Sequence, residues 1–201
     1  MEGLECARVL DASIIAAVQA KPLPEIARRL AAGHQTYVAL VNGQPAGFGW
    51  VATDEATIGE LDATVRLPER NRYLWNFVTL PEFRGRGIYP RLLREILADG
   101  RSEADWWWIM YAPENRASGS GIEKAGFIPV AAVAFDERER AAFRKLRSSA
   151  GPMVERLLGV PQATGMLTPC WKCVRAGRGA MACADDACRC DYQRPDVTCA
   201  A

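Results

Sequence analysis

The sequence contains a single histidine, no excess of either charge and no long apolar run. Its longest uninterrupted apolar stretch, 106–112, has seven residues, whereas a helix that crosses a bilayer needs about 20. The 25 basic and 24 acidic side chains leave a net charge of +1, which gives no reason to expect a nucleic-acid or membrane partner. The first residues lack the basic and apolar stretches of a secretory signal, so we expect a cytoplasmic protein.

The scarcity of histidine also limits the chemistry that the chain can perform. Because His34 stands alone, the sequence offers no Ser–His or Cys–His pair for nucleophilic catalysis. This residue lies between a predicted helix and a predicted strand, and we expect it at the surface rather than in a catalytic role.

Cysteine, in contrast, is concentrated near one end of the chain. Six of the seven cysteines lie within 170–199, inside a segment, 161–201, that is rich in Gly, Pro and Asp and has little periodicity. A Cys-x2-Cys pair on a turn presents two thiolates at the spacing of a tetrahedral zinc site. The candidate zinc ligands are four of Cys170, Cys173, Cys183, Cys188 and Cys190. The competing interpretation is a flexible tail with surface thiols.

The rest of the chain divides into two zones. Residues 1–135 alternate helical and strand patterns in the order β, α, α, four strands, α, β, α, β, which predicts a mixed α/β domain with a central sheet. One strand is predicted at 57–65, and the next, at 73–80, is apolar enough to be buried on both faces. Residues 136–160 form a predicted helical extension, in which Asp136 and Glu139 have the spacing of a capping box.

The segment with the clearest chemistry follows the second of these strands. There the chain passes through a loop with Gly85 and Gly87 into a predicted helix. Glycines let backbone N–H groups approach a ligand closely, and a helix N-terminus adds unpaired donors and partial positive charge. Arg84 and Arg86 add cationic side chains, so the loop predicts a site for an anion such as a pyrophosphate. No Gly-Lys-Ser/Thr follows, which excludes a nucleoside-triphosphate loop.

Two motifs in this region resemble those of the GNAT superfamily of acyl-CoA-dependent N-acetyltransferases. The segment LPEFRGRGI at 80–88 is similar to motif A, written Gln/Arg-x-x-Gly-x-Gly/Ala, and 115–127, from NRAS to EKAGF, is similar to motif B. They occur in the family's order with a predicted strand between them. The resemblance covers 1–135 and implies the GNAT-like mixed sheet, in which two parallel strands, here 73–80 and 106–111, splay apart to admit acyl-CoA.

The resemblance also implies a set of contacts with the cosubstrate, acetyl-CoA. Backbone groups of the strand at 73–80 would pair with the pantetheine arm, the glycine loop would line the pyrophosphate, and the start of motif B would touch the amide arm. The residues expected to bind the cosubstrate are Phe77, Val78, Thr79, Arg84, Gly85, Arg86, Gly87, Ile88, Tyr89, Asn115 and Ser118.

The sequence departs from the family pattern at positions that bear on catalysis. Many relatives carry a tyrosine four residues before the Gly-Phe pair, where it protonates the departing thiolate, and here that residue is Ile122. Met110 occupies the strand position where some relatives have a catalytic glutamate. In motif A, Glu82 replaces the usual Gln or Arg, and Tyr89 stands where a glycine often follows. The resemblance therefore implies an intact cosubstrate site but does not assign the acid or the base.

Attack of an amine on a thioester needs a base, because lysine-like amines are protonated at neutral pH. Glu60 and Asp62 share one face of a predicted strand beside the expected acceptor channel. Glu60 is the candidate base, and a solvated carboxylate is its alternative role. Tyr111 is the candidate proton donor near the thioester. Ser118 and Ser120 are further hydroxyls, with helix capping as their alternative role.

Two functions are consistent with these features. The first is transfer of an acetyl group from acetyl-CoA to the amine of a small molecule or a protein. The second, suggested by Ile122 and Met110, is an acyl-CoA-binding regulatory or adaptor module without catalysis, whose Cys-rich tail binds metal and a partner. The tail would serve as a docking module or as a lid over the acceptor site. The sequence does not indicate an oligomeric state.

Overall fold

The computed structural model describes residues 3–59, 63–112, 115–136, 138, 140–147, 151–165, 167 and 196–200. These residues form a mixed α/β fold, which confirms the predicted class. The strands are β1 Leu4–Val9, β2 Gln35–Val41, β3 Gln44–Ala52, β4 Glu55–Ile58, β5 Ala63–Arg66, β6 Asn71–Thr79, β7 Trp106–Tyr111, β8 Ile128–Phe135, β9 Ala141–Lys145 and β10 Asp196–Ala200. The helices are α1 Ala12–Gln19, α2 Leu23–Ala31, α3 Ile88–Asp99, α4 Arg116–Lys124 and α5 Gly151–Leu158, with a 3₁₀ turn at Pro81–Phe83 before α3.

One large sheet organises the described part of the chain. Its strand order is β1-β2-β3-β6-β7-β10-β8-β9, and β4 and β5 pair separately as a two-stranded sheet. Among the described strands, β6 and β7 are the one parallel pair, because α3 carries the chain back across the sheet between them. The other neighbours are antiparallel.

Helices cover both faces of the large sheet. On one face α3 buries an apolar stripe at the helical spacing, which includes Ile88, Leu92 and Ile96. The helix ends at Gly100, where a Cβ would overlap the ring of Trp107, so the glycine lets the helix end lie close to β7. Helices α1 and α2 pack on the opposite face of β2 and β3, around a core that includes Trp50.

The single strand predicted at 57–65 is wrong, because the chain forms a hairpin there. Strands β4 and β5 pair antiparallel, with Ala56 opposite Val65. Buried and exposed residues alternate along both arms, so each arm has the pattern of a half-buried strand. The buried positions are even-numbered in β4 and odd-numbered in β5, so the alternation changes phase between the arms, and this change is the signal that separates them.

The helix predicted to begin at Asp136 is also wrong over its first part. The Asp136 carboxylate accepts hydrogen bonds from the N–H groups of Arg138 and Arg140, both at 2.9 Å, and pairs with the Arg140 guanidinium at 2.8 Å. These bonds close a turn after which β9 returns antiparallel beside β8. An Asp side chain binds backbone N–H groups in turns as well as at helix starts, so the capping pattern was ambiguous. Glu139 lies outside the described residues, and helix α5 forms later in the predicted zone.

Candidate active site

Strands β6 and β7 are neighbours over only part of their length. Their parallel ladder ends at Leu74, opposite Ile109, whereas β6 continues to Thr79. On its other edge β6 stays paired with β3 as far as Thr79. The prediction that 73–80 is buried on both faces is wrong for the second half of the strand: Tyr73 and Leu74 are buried, whereas Asn76 and Val78 are exposed. The edge toward β7 is also open beyond Leu74. This opening is the splay that the sequence resemblance implied.

A β-bulge in β6 marks the point at which the two strands separate. One residue of β3, Gly49, faces two residues of β6, Asn76 and Phe77. Asn76 has a left-handed backbone φ of 52°, which Asn adopts more readily than most residues. A Cβ at position 49 would overlap the Phe77 ring, so the glycine makes room for that ring.

The glycine loop between β6 and α3 has the open backbone that the sequence predicts. Gly85 and Gly87 have left-handed φ values of 75° and 73°, which side chains with a Cβ rarely allow. No described side chain caps α3, so the first N–H groups of this helix remain available beside the loop. Arg84 Nε donates to a carbonyl of β6 at 3.2 Å, and the Arg86 guanidinium lies 5.4 Å from the centre of a phenylalanine ring.

Helix α4 comes close to β7 and α3 through two glycines. A Cβ at Gly119 would lie 2.6 Å from the ring of Tyr111, and one at Gly121 would overlap the ring of Tyr89. The Tyr89 hydroxyl lies 3.3 Å from Ser118 Oγ. Neither glycine has a role predicted from the sequence, whereas the neighbouring Ser118 and Ser120 were candidate hydroxyls.

A first cavity, of about 630 Å³, lies between the second half of β6, the glycine loop, α3 and α4. Every residue predicted to contact the cosubstrate lines it except Arg86. The lining residues that sequence reasoning did not assign to the cosubstrate are Phe83, Pro90, Ala117, Ser120, Gly121 and Lys124. Three of them, at 117, 121 and 124, share one face of α4, so helical spacing from motif B is the signal that could have found them.

A second cavity, of about 510 Å³, lies on the other side of the bulge. Its lining residues are Lys21, Arg29, Thr57, Ile58, Gly59, Tyr73, Leu74, Trp75, Asn76, Met110, Tyr111 and Ala112. The candidate donor Tyr111 therefore lines this cavity while its ring packs on α4, which walls the first cavity. Glu60 and Asp62 lie outside the described residues. The contribution of α2 to this cavity was not predicted, because the helix is far from both motifs in the chain.

The splay, the glycine loop and the cleft beside α4 belong to a stretch that matches a known family. Residues 8–127 match the sequence model of the Acetyltransferase (GNAT) family. The chain belongs to this family. The resemblance drawn from motifs A and B is confirmed, and the GNAT domain of this chain is an acyltransferase. No protein with a curated description has a significantly similar sequence.

Solved GNAT structures share the fold at low sequence identity. The Salmonella typhimurium acetyltransferase that modifies the N-terminal serine of ribosomal protein L7/L12 is 12% identical, with a TM-score of 0.51 over 67% of this chain and 85% of that one. The dodecameric spermidine N-acetyltransferase of Vibrio cholerae is 13% identical, with 0.50 over 68% and 85%. AAC(6')-Ib in complex with paromomycin and acetyl-CoA is 14% identical, with 0.51 over 71% and 92%. These likenesses establish the fold.

Within this GNAT domain, the two positions that the sequence resemblance connects with catalysis hold apolar residues. Ile122 is fully buried in the core around α3 and α4. Met110 is half-buried and lines the second cavity. The hydroxyl-bearing residues that line this cavity are Thr57, Tyr73 and Tyr111.

The second cavity of the GNAT domain has an aromatic and cationic corner. The Arg29 guanidinium carbon lies 4.8 Å from the centre of the Trp75 ring and 5.2 Å from that of Trp50. Arg29 Nη2 donates to Glu25 at 2.6 Å, and Lys21 Nζ lies 3.8 Å from the same carboxylate oxygen. These contacts fix the guanidinium over the aromatic rings at the wall of the cavity.

His34 is not the surface residue that the sequence predicts. Its ring is half-buried and meets Trp75 edge to face, with centroids 5.3 Å apart. Burial lowers the pKa of His34 because it disfavours the charged imidazolium, and the nearby Arg29 cation lowers it further. Glu55 acts in the opposite direction. His34 does lie between a helix and a strand, as the sequence predicts. Its packing against Trp75 could not be deduced from local sequence.

The proposed zinc ligands Cys170, Cys173, Cys183, Cys188 and Cys190 lie outside the described residues. Among the residues that the structure describes, no group of three or more His, Cys, Asp or Glu side chains is arranged to hold a metal ion. The zinc site therefore stays a prediction. None of the helices in the described ranges has the length and apolar character required to cross a bilayer.

Proposed function

We propose that this GNAT domain transfers an acetyl group from acetyl-CoA directly to a primary amine. The observation that carries the proposal is the position of two cavities on opposite sides of the β6 bulge. Asn76 lines the second cavity, and the next residue, Phe77, lines the first. A thioester bound in the first cavity would therefore meet an amine bound in the second at the splay between β6 and β7.

The first cavity provides groups suited to each part of acetyl-CoA. The open N–H groups at the start of α3, with Gly85 and Gly87 in the left-handed conformation, suit the pyrophosphate. Arg84 and Lys124 add positive charge at the walls. The edge of β6 that faces away from β3 has backbone groups available for the amides of the pantetheine arm.

An ammonium acceptor loses two protons from its nitrogen, one to the base before attack and one as the tetrahedral intermediate collapses, and the second replaces the proton delivered to the thiolate. The amine nitrogen attacks the thioester carbonyl carbon, the new N–C bond forms, and the C–S bond breaks as the thiolate of CoA leaves. Glu60 is the proposed base that takes the proton of the ammonium group, because its neighbour Gly59 lines the second cavity. Tyr111 is the proposed donor to the thiolate, because its ring contacts α4 while it lines the second cavity.

A second candidate function is binding of acyl-CoA without transfer. The complete burial of Ile122 favours it, because no hydroxyl stands at the position where many relatives protonate the thiolate. The two functions share the cosubstrate site and differ in amine-dependent release of CoA. Small-molecule and protein amines both remain candidate acceptors under the first proposal.

Calorimetric titration of acetyl-CoA into wild type, Ala117→Glu and Ala98→Glu tests the cosubstrate site. Ala117 lines the first cavity in the first turn of α4, where a carboxylate is also compatible with the helix dipole, so the helix should still form. Ala98 is exposed on α3 and does not line the cavity, so Ala98→Glu is a control that adds the same charge elsewhere. We expect Ala117→Glu to weaken binding at least tenfold, roughly 1.4 kcal/mol, through repulsion of the phosphates, and Ala98→Glu to bind like the wild type.

Equal affinity in all three proteins, or no binding by a folded wild type, would overturn the cosubstrate assignment. Where acetyl-CoA binds, release of free CoA is then measured with a panel of primary amines. Amine-dependent release supports transfer. Binding without release for any amine supports the acyl-CoA-binding module instead.

A further inference from the structure

Three buried polar nitrogens around Trp75 have no hydrogen-bond partner among the described residues. They are Arg29 Nη1, Trp75 Nε1 and His34 Nδ1. Buried donors are almost always satisfied in folded proteins, so three unpartnered nitrogens in one cluster call for an explanation. Arg29 and Trp75 line the second cavity, and the His34 ring contacts Trp75. A bound molecule with hydrogen-bond acceptors would satisfy donors at this wall.

The charge of this corner selects the kind of acceptor. Lys21 and Arg29 are the charged side chains among the described lining residues of the second cavity, and both are cationic. Glu25 pairs with both of them, so the three side chains together carry one positive charge. That charge favours an anionic group and disfavours a polycation.

The guanidinium is also held in place before any ligand arrives. Arg29 lies over the rings of Trp50 and Trp75, and its side chain is 17% exposed. Of the two terminal guanidinium nitrogens, Nη2 donates to Glu25, whereas Nη1 makes no hydrogen bond to a described residue. A fixed fork with an unsatisfied donor loses little entropy when it binds a planar carboxylate, which is the ligand that matches its geometry.

We propose that the acceptor is a small amine that also carries a carboxylate, of the size of an amino acid, and that Arg29 Nη1 binds this carboxylate. The inference rests on the proposed acetyl transfer and adds the class of substrate. Trp75, beside Arg29, is the residue that follows the last β6–β7 pair, so the anion site and the splay belong to one wall. A cavity of about 510 Å³ accommodates an acceptor of this size.

Matched acceptor pairs test the proposal through kcat/KM. Each pair is an amino acid and its carboxamide, which differ in the anionic group. With the wild type we expect the carboxylate form to be preferred by about 10- to 100-fold, the range of a hydrogen bond between charged groups. Arg29→Gln should remove the preference, mainly by raising KM for the carboxylate, and Arg29→Lys should retain part of it.

Arg28→Gln is the control variant. Arg28 is exposed on the same helix as Arg29, and its replacement by Gln changes the net charge by the same amount. We expect this variant to keep the wild-type preference. Equal use of carboxylate and carboxamide by the wild type, better use of polyamines, or an unchanged preference in Arg29→Gln would overturn the inference.

A binding measurement separates this inference from the proposed function. His34 is the only histidine of the chain, so its ring proton signals are assigned without further labelling. A carboxylate bound at Arg29 would oppose the charge that lowers the His34 pKa, so titration with an amino acid should raise that pKa. The carboxamide should leave it unchanged, and so should the amino acid in Arg29→Gln.

The outcomes are distinguishable. If acetyl-CoA does not bind, the proposed function fails whatever the NMR titration shows. If acetyl-CoA binds and amines are acetylated without regard to their carboxylate, only the inference about Arg29 fails. If none of the amino acids changes the His34 signals, the carboxylate site is overturned even where no acceptor is turned over.

Discussion

The two cavities of this GNAT domain are built from different material. The first is lined by segments that are close in the chain, all within 77–124, and these include three glycines and the start of α3. The second is formed by side chains from α2, the β4–β5 hairpin, β6 and β7, which are scattered from Lys21 to Ala112. A site made of local backbone geometry leaves a motif in the sequence. A site made of distant side chains does not.

The largest expected effect is on kcat, and it distinguishes two hydroxyl groups: that of Tyr111 at the boundary of the two cavities and that of Tyr89 inside the first. Tyr111→Phe should lower kcat about 100-fold, the usual range for loss of a general acid, and leave the affinity for acetyl-CoA unchanged. Tyr89→Phe, which removes a hydroxyl 3.3 Å from Ser118 Oγ, should act on acetyl-CoA affinity instead. Steady-state kinetics together with calorimetry measures both quantities. Loss of kcat in Tyr89→Phe alone would transfer the donor role to that residue.

The next effect tests whether α4 shapes the first cavity through its glycines. A Cβ at Gly121 would overlap the Tyr89 ring, so Gly121→Ala should displace that ring toward the cosubstrate. Overpacking costs about 1–3 kcal/mol, so we expect acetyl-CoA affinity to fall about tenfold or more. In a Tyr89→Ala background the same change should cost little, because the clash is absent. Equal losses in both backgrounds would show that the contact does not matter.

The same contrast explains what the sequence could predict. Gly85 and Gly87 were assigned correctly to an open loop, because left-handed backbone and helix starts have local signatures. The burial of β6 was overestimated, because the composition of a strand does not show where its neighbour β7 separates from it. Arg29 and His34 were not linked to the site, since their contacts with Trp75 depend on how α2 packs on the sheet.

Ambiguous local chemistry accounts for the errors outside the site. Asp136 binds N–H groups in a turn as it would at a helix start, so the pattern alone could not separate a hairpin from a helix. Along β4 and β5 each arm alternates, but the buried positions change from even to odd numbers, and the single predicted strand overlooked this change of phase. In both cases the chain turns back and pairs with the adjacent strand, and the propensity of each segment alone does not show that pairing.

The smallest expected effect is a pH dependence of the stability, which arises from His34 beside the second cavity. The pKa of His34 lies below its ordinary value of 6.5 in the folded protein, through burial first and the Arg29 cation second. The folded state therefore binds fewer protons than the unfolded chain between the two pKa values. The corresponding stability is fully present above pH 6.5 and falls as the pH drops through that value toward the folded pKa. Urea unfolding of wild type and His34→Gln from about pH 8 to pH 5 gives the unfolding free energy of each protein as a function of pH. The difference between the two curves is the contribution of His34.

A difference that does not change with pH would show that the His34 environment is the same in the folded and unfolded states. The variant Arg29→Gln sharpens the measurement, because it removes the cation and retains the burial. The difference in unfolding free energy between Arg29→Gln and the double variant Arg29→Gln/His34→Gln should change less with pH than the difference between wild type and His34→Gln. The change should have the same sign in both pairs. If the difference vanished, Arg29 rather than burial would be the main cause, and the charge of this corner would dominate its pH response.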